Sequence, residues 1–261
     1  MSLFPTSDID LVDITGDHHV HTGLCNHAQG EMEEYVEAAL SKGLRSITFL
    51  EHLECGLRYT PRIWLTPELF EEYFQEGERL QEKYVGRIMI RLGAEIGYHT
   101  AAKAELLLML DSLPFAHRGL SCHFYWDDKE HLNMLSRRED HIRRLGEIGT
   151  DRILDAYFTA LIEGCREIPC DKLCHLDAAL RHNKVRLTEH HHELISQLFT
   201  VMQEKNIALE VNTSGYVLRP HPYPAPHFIQ QAQQLGIPLI VGSDAHHPDQ
   251  VGRFFDRLTS L

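Results

Sequence analysis

The chain alternates between short apolar runs and helical stretches almost from end to end, and this alternation is what most limits the folds open to it. The apolar-leaning run Ile9–Ile14 leads into a first strand that ends at His19 and His21. Glu31–Lys42 follows, with Met32, Tyr35, Val36, Ala39 and Leu40 at helical spacing and Gly43 as a stop. Further strands are predicted at Ser46–Leu50, Arg87–Ala94, about Gly119–Cys122, Asp171–Cys174, Ile207–Val211 and Pro238–Val241. Helices are predicted from Thr66-Pro67 through Leu80, over Ala104–Leu110, Asp151–Arg166, Thr188–Lys205 and Pro226–Leu235, and near Asp249–Leu258. Trp126–Gly149 is polar and carries no clear period. Strands separated by helices pair in parallel through crossover connections. With no GxGxxG or Walker loop to mark an open doubly wound sheet, the expectation is a closed or nearly closed α/β barrel, one domain over residues 1–261.

The chemistry sits at the ends of these strands. Alternate side chains of an extended strand share a face, so in Asp17-His-His-Val-His-Thr22 the rings of His19 and His21 point one way, and His18 and Val20 the other. Two converging imidazoles suit a divalent ion. The following strands end at His52, Glu95, His123 and His175, the sixth leads into Asn212–Gly215, and the seventh ends at Asp244 and His246. A parallel barrel opens all its C-terminal strand ends onto one face. Residues far apart in sequence would therefore meet there as a metal centre. The run His190, His191, His192 starts a helix and spans adjacent faces, so these three read as solvated. His99, His117, His131, His141, His182, His221, His227 and His247 have no matched partners and read as structural or surface residues, His221 and His227 being the best placed for substrate contact.

Composition narrows the function. Nineteen histidines are about three times a background of roughly 2%. A net charge of −13 argues against binding polymeric nucleic acid, which needs clustered Lys and Arg. There is no apolar run of membrane-spanning length and no signal-peptide pattern, so the expected location is cytoplasmic, away from membranes. Six scattered cysteines predict free, mostly buried thiols rather than a disulfide scaffold.

The blocks Asp17–His21, Glu51-His52, Ser121–Phe124 around His123, and Asp244–His246, with Glu95 and His175 between them, resemble the polymerase and histidinol phosphatase (PHP) superfamily of metal-dependent phosphoesterases over nearly the whole chain. The resemblance implies a distorted seven-stranded (β/α)7 TIM-like barrel with three divalent ions, zinc, manganese or iron. By position, His19, His21, Glu95 and Asp244 would hold one ion, Glu95, His123 and His175 a second, and His27, His52 and His246 a third. Cys25 and His27 after His21-Thr22, Glu51-His52, Cys-His-Leu-Asp at 174–177, Glu210–Gly215, and Gly242–His246 followed by Val251-Gly252 look most like the histidinol-phosphatase branch. Tyr216-Val-Leu-Arg219 departs from it, since an arginine closer to Gly215 is expected.

The activity implied by the resemblance is hydrolysis of a small phosphate monoester, L-histidinol phosphate foremost, to L-histidinol and phosphate, by attack of a metal-bridging hydroxide. Asp244 would shuttle a proton to the leaving alkoxide, Arg181 and Arg219 would clamp the phosphate, and Asp17 would orient a liganding imidazole from behind. Two other readings are a phosphatase or phosphodiesterase for nucleotides or another small phosphoester, and a metal-binding module without turnover. Structural zinc sites are closed, whereas ligands shared among three ions would leave positions open to water.

Overall fold

The computed structural model describes residues 13–260. Strand β1 is Gly16–Val20, which carries His19 and stops one residue short of His21; of the apolar run that precedes it, Ile9–Val12 lie outside the described residues. Helix α1 (Met32–Ser41) buries Met32, Tyr35, Val36 and Ala39, the stripe expected from their spacing. Strand β2 (Ser46–Glu54) runs four residues beyond the predicted end. Helix α2 (Pro67–Lys83) starts as expected, with the Thr66 hydroxyl accepting from the Leu69 N–H at 3.4 Å and Pro67 in the first turn. Strand β3 (Met89–Gly97), helix α3 (Lys103–Ser112) and strand β4 (His117–Ser121) come next.

An antiparallel hairpin, β5 (Phe124–Trp126) with β6 (His131–Asn133), leads into and occupies the start of the unassigned polar segment, which also holds helix α4 (Glu139–Ile148). Then come α5 (Thr150–Glu167), the two-residue β7 (Lys172–Leu173), α6 (Glu189–Lys205), β8 (Ala208–Asn212), α7 (Pro226–Gln234) and β9 (Leu239–Gly242). The expected closing helix is replaced by 3₁₀ turns at Pro248–Gln250 and Phe255–Ser260. Gly252 and Phe254 between them have φ of +61° and +59°, which an α-helix cannot accommodate.

Among the described residues seven strands form one parallel sheet in the order β1-β2-β3-β4-β7-β8-β9, curled into a nearly closed barrel. The seam between first and last strands carries one isolated bridge, Val20 with Ala245. There the His21 N–H donates to Ala245 O at 2.9 Å and the Ala245 N–H to His19 O at 3.4 Å. Helices cover the outside, and leucine, isoleucine, valine and aromatic side chains fill the space between them and the strands. Among the described residues no helix is long and apolar enough to cross a membrane.

Candidate metal centre and active site

The barrel mouth gathers the ligand-type side chains around Glu95. Register places Glu95 beside His52 on β2 and beside Gly119 on β4. Its Oε1 lies 2.7 Å from His175 Nε2 and 3.1 Å from His123 Nε2, and its Oε2 lies 3.0 Å from His52 Nδ1, 3.5 Å from His19 Nε2 and 3.6 Å from His21 Nε2. Asp244 closes the far side, its Oδ1 3.4 Å from His21 Nε2 and 3.9 Å from His19 Nε2. The His21 ring stacks on His52 with centroids 4.2 Å apart and lies 4.3 Å from His246, whose Nε2 is 2.9 Å from His27 Nε2. All nine residues expected to act as ligands thus meet in one place. Several ligand atoms are close enough to share an ion, as in the triads His21, His52, His246 and His52, Glu95, His123.

Proton placement shows that the set suits cations. His27 Nδ1 and His246 Nδ1 each face a backbone carbonyl, Cys25 O and Asp244 O, at 3.0 Å. A carbonyl only accepts, so both Nδ1 atoms carry the proton, and in neutral rings both Nε2 lone pairs point at each other across 2.9 Å. A cation relieves that repulsion. Likewise His123 Nδ1 donates to Glu54 Oε1 at 2.7 Å and His19 Nδ1 to Glu210 Oε1 at 2.7 Å, turning both Nε2 atoms inward. His21 Nδ1 and His52 Nε2 are buried without a hydrogen-bond partner among the described residues.

Charge follows from the same packing. Burial and neighbouring imidazoles push His52 down to about 3 and His246 to about 4, which keeps their rings neutral, the form that binds metal. Burial opposes charging His123 too, but Glu95 and Glu54 outweigh it and push this ring up to about 10. Burial also disfavours ionised Glu95, yet His123, His19, His175 and His52 together hold its carboxyl well below the usual range. The centre as a whole is anionic at its heart and lined by nitrogen donors.

A family model described as "PHP domain" matches residues 17–214, and one described as "PHP-associated" matches 229–255. The chain belongs to the PHP domain family. A relative from Deinococcus radiodurans named "Probable histidinol-phosphatase" is 30% identical, covering 94% of this chain and 92% of its own. A solved protein of Listeria monocytogenes superposes with a TM-score of 0.81 at 18% identity, over 93% of this chain and 99% of the other. The histidinol phosphate phosphatase of Lactococcus lactis, solved with zinc, L-histidinol and phosphate, superposes with a TM-score of 0.72 at 20% identity, over 94% and 91%. The barrel is therefore the PHP fold.

Around the PHP centre, several side chains have partners the sequence did not suggest. Asp17 binds backbone rather than an imidazole: Oδ1 accepts the N–H groups of Ser243 at 2.9 Å and His19 at 3.3 Å, and Oδ2 that of Gly252 at 2.7 Å. The carboxylates that orient imidazoles are Glu54 and Glu210, neither of which carries a role on sequence grounds. Strand parity could have found them, since Glu54 shares a face with His52 and Glu210 with Asn212. Arg219 is held by Asp177, with Nη1 at 3.2 Å from Oδ2, and its guanidinium lies 3.8 Å over the Tyr223 ring. Arg181 donates through Nε to Leu135 O at 3.2 Å. Both arginines line a cavity of about 270 Å³ together with Asp177, Tyr157, Tyr223 and His227.

Two expectations for histidines need correction. His191 is buried rather than solvated, because its Nδ1 accepts the Thr188 N–H at 3.0 Å and closes the cap of α6. His131 and His99 are each other's partners, Nε2 to Nε2 at 3.3 Å. His227 lines the cavity, while His221 donates to Pro222 O at 3.0 Å. All six cysteines are free, five of them buried.

Proposed function

We propose that this protein is a metal-dependent phosphatase that hydrolyses L-histidinol phosphate to L-histidinol and inorganic phosphate, a step of histidine biosynthesis. The observation that carries the reading is the convergence of His19, His21, His52, His123 and His175 on Glu95, with acceptors behind the rings of His19, His123, His27 and His246, in a chain of this family. We assign three divalent ions, zinc, manganese or iron, to His19, His21, Glu95 and Asp244, to Glu95, His123 and His175, and to His27, His52 and His246. When bound, they supply positive charge for the phosphoryl oxygens and acidify water at neutral pH.

The chain's own groups do the rest. The fixed imidazoles and Glu95 hold the site rigid, so the phosphorus and the attacking oxygen meet without reorganisation. The water oxygen bonds to phosphorus as the bond to the alcohol oxygen breaks. Asp244 would pass the proton from water to the departing alkoxide. Its backbone is left-handed at φ +53°, and its Oδ2 accepts from Ser214 Oγ at 3.3 Å, which aims the carboxylate. Arg181, whose Nε contact is to a backbone carbonyl rather than a carboxylate, is the phosphate clamp, and Arg219 shapes the same cavity by fixing Asp177. We read residues 1–261 as one barrel domain and place the protein in the cytoplasm, where its six thiols stay reduced.

The test is steady-state phosphate release from histidinol phosphate, abolished by a chelator and restored by Zn²⁺ or Mn²⁺. Absence of release, with brisk turnover of another phosphomonoester, would refute the substrate.

A further inference from the structure

Beneath the metal centre lies a lysine that no solvent reaches. Lys172 on β7 is 0% exposed, and its ammonium donates to Glu210 Oε1 at 2.6 Å and to His18 O at 2.8 Å, tying β7 to β8 and β1 inside the barrel. Glu210 is equally buried, and all four of its contacts are donors: His19 Nδ1 at 2.7 Å and Lys172 Nζ at 2.6 Å on Oε1, the His175 backbone N–H at 3.1 Å and Asn212 Nδ2 at 3.1 Å on Oε2. His19, Cys174 and Glu210 cluster as a metal triad would, but the ammonium already fills the cation's place.

We propose that Lys172 is a positioning residue that acts through Glu210 to fix His19 with its proton on Nδ1 and its Nε2 lone pair turned into the centre. A lysine ammonium can only donate, and a carboxylate flanked by four donors can only accept, so Glu210 leaves His19 one tautomer. Bonding to His18 O, one residue before His19, the same ammonium also sets the height of β1 under the ring. As a stabiliser, a buried ion pair is a poor choice, since well-packed apolar residues usually do as well. Its use here is orientation. No glutamine could replace Glu210, because either setting of the amide turns its NH₂ toward two of the four donors.

The inference rests on His19 being a metal ligand, and its test does not depend on which phosphoester is turned over. Long-range ¹H–¹⁵N spectra of the zinc-loaded enzyme, labelled at histidine, should show His19 protonated on Nδ1, with that signal missing in His19→Asn. A wild-type His19 protonated on Nε2 would overturn the proposal without any variant at this pair. The double variant Lys172→Met, Glu210→Leu removes both charges together, the substitution a buried pair tolerates best. Its affinity for zinc alone, read by competition with a chromophoric chelator, should fall about 10- to 100-fold at a melting temperature close to that of the wild type. Zinc affinity within twofold of wild type in the folded double variant would mean that the pair only fills space, and would also overturn the proposal.

Discussion

Gly242, the last residue of β9, lies directly against the backed face of His19, which makes one added methyl group a sharp test of how tightly the ring is placed. A Cβ at Gly242 would fall 2.5 Å from His19 Cβ and 2.6 Å from Glu210 Oε1. Carbon atoms settle at about 3.5–4.0 Å, so in Gly242→Ala the His19 ring or the strand end must retreat by about 1 Å. Misplacement on that scale costs about 100-fold in rate, or about 2.7 kcal/mol of barrier at about 1.36 kcal/mol per tenfold. Overpacking adds about 1–3 kcal/mol of destabilisation, which lowers the Tm of a chain this size by about 2–4 °C per kcal/mol. The assay is kcat/KM for phosphate release at saturating zinc, beside a thermal melt. Gly43→Ala is the control: nothing lies within 4 Å of its added Cβ, but φ is +73°, so it should lose stability and keep its kcat. If Gly242→Ala melts early yet turns over within about twofold of wild type, the position of the His19 ring does not set the rate, and the reasoning is refuted.

The same contacts set other outcomes. Glu54→Gln keeps the shape behind His123 but removes the charge from a 2.7 Å hydrogen bond, and should weaken zinc binding about 10- to 100-fold by chelator competition. Arg181→Met should raise the inhibition constant for inorganic phosphate about 10-fold or more, the worth of a charged hydrogen bond of about 1.5–3 kcal/mol. Arg219→Met should move that constant much less, because its fork is already engaged by Asp177. Burial pushes His117 down to about 3 and His131 to about 4, so below pH 6.5 the unfolded chain takes up protons that these folded rings refuse. Their contribution is whole above pH 6.5 and is lost as pH falls toward 4. Urea unfolding between pH 6.5 and 5 should therefore show a shallower decline in His131→Gln than in wild type, and equal slopes would refute that assignment.

Much of this was legible in the sequence because strand period and ligand chemistry coincide. His19 and His21 share a face by simple alternation, and a parallel barrel brings Glu95, His175 and Asp244 to the same mouth whatever their separation. Element ends were less legible. Strands β2 and β3 run past Leu50 and Ala94 because their polar ends point into the centre rather than into water, so His52, Glu54 and Glu95 belong to the strands themselves. Trp126–Gly149 hid the second strand of a hairpin and a helix because the apolar residues buried there are few, Leu132, Met134 and Leu145, too few to set a period. The partners behind the ligands were hidden for a different reason. A lone Glu210 or Lys172 in an apolar run looks like a solvated edge until the opposing strand supplies its mate, and Asp17 looks like an imidazole partner until Ser243 and Gly252 present their N–H groups.

The weakly stitched barrel seam has a mechanical consequence. The one bridge there among the described residues, Val20 with Ala245, lies between His19 and His21 on one side and the pair Asp244 and His246 just past β9 on the other, so any ion gripped from both sides rivets the first strand to the last. Chelation should then unfasten the cylinder along that line, with backbone amides of Val20, His21 and Ala245 exchanging deuterium ahead of those in the β2–β3 ladder.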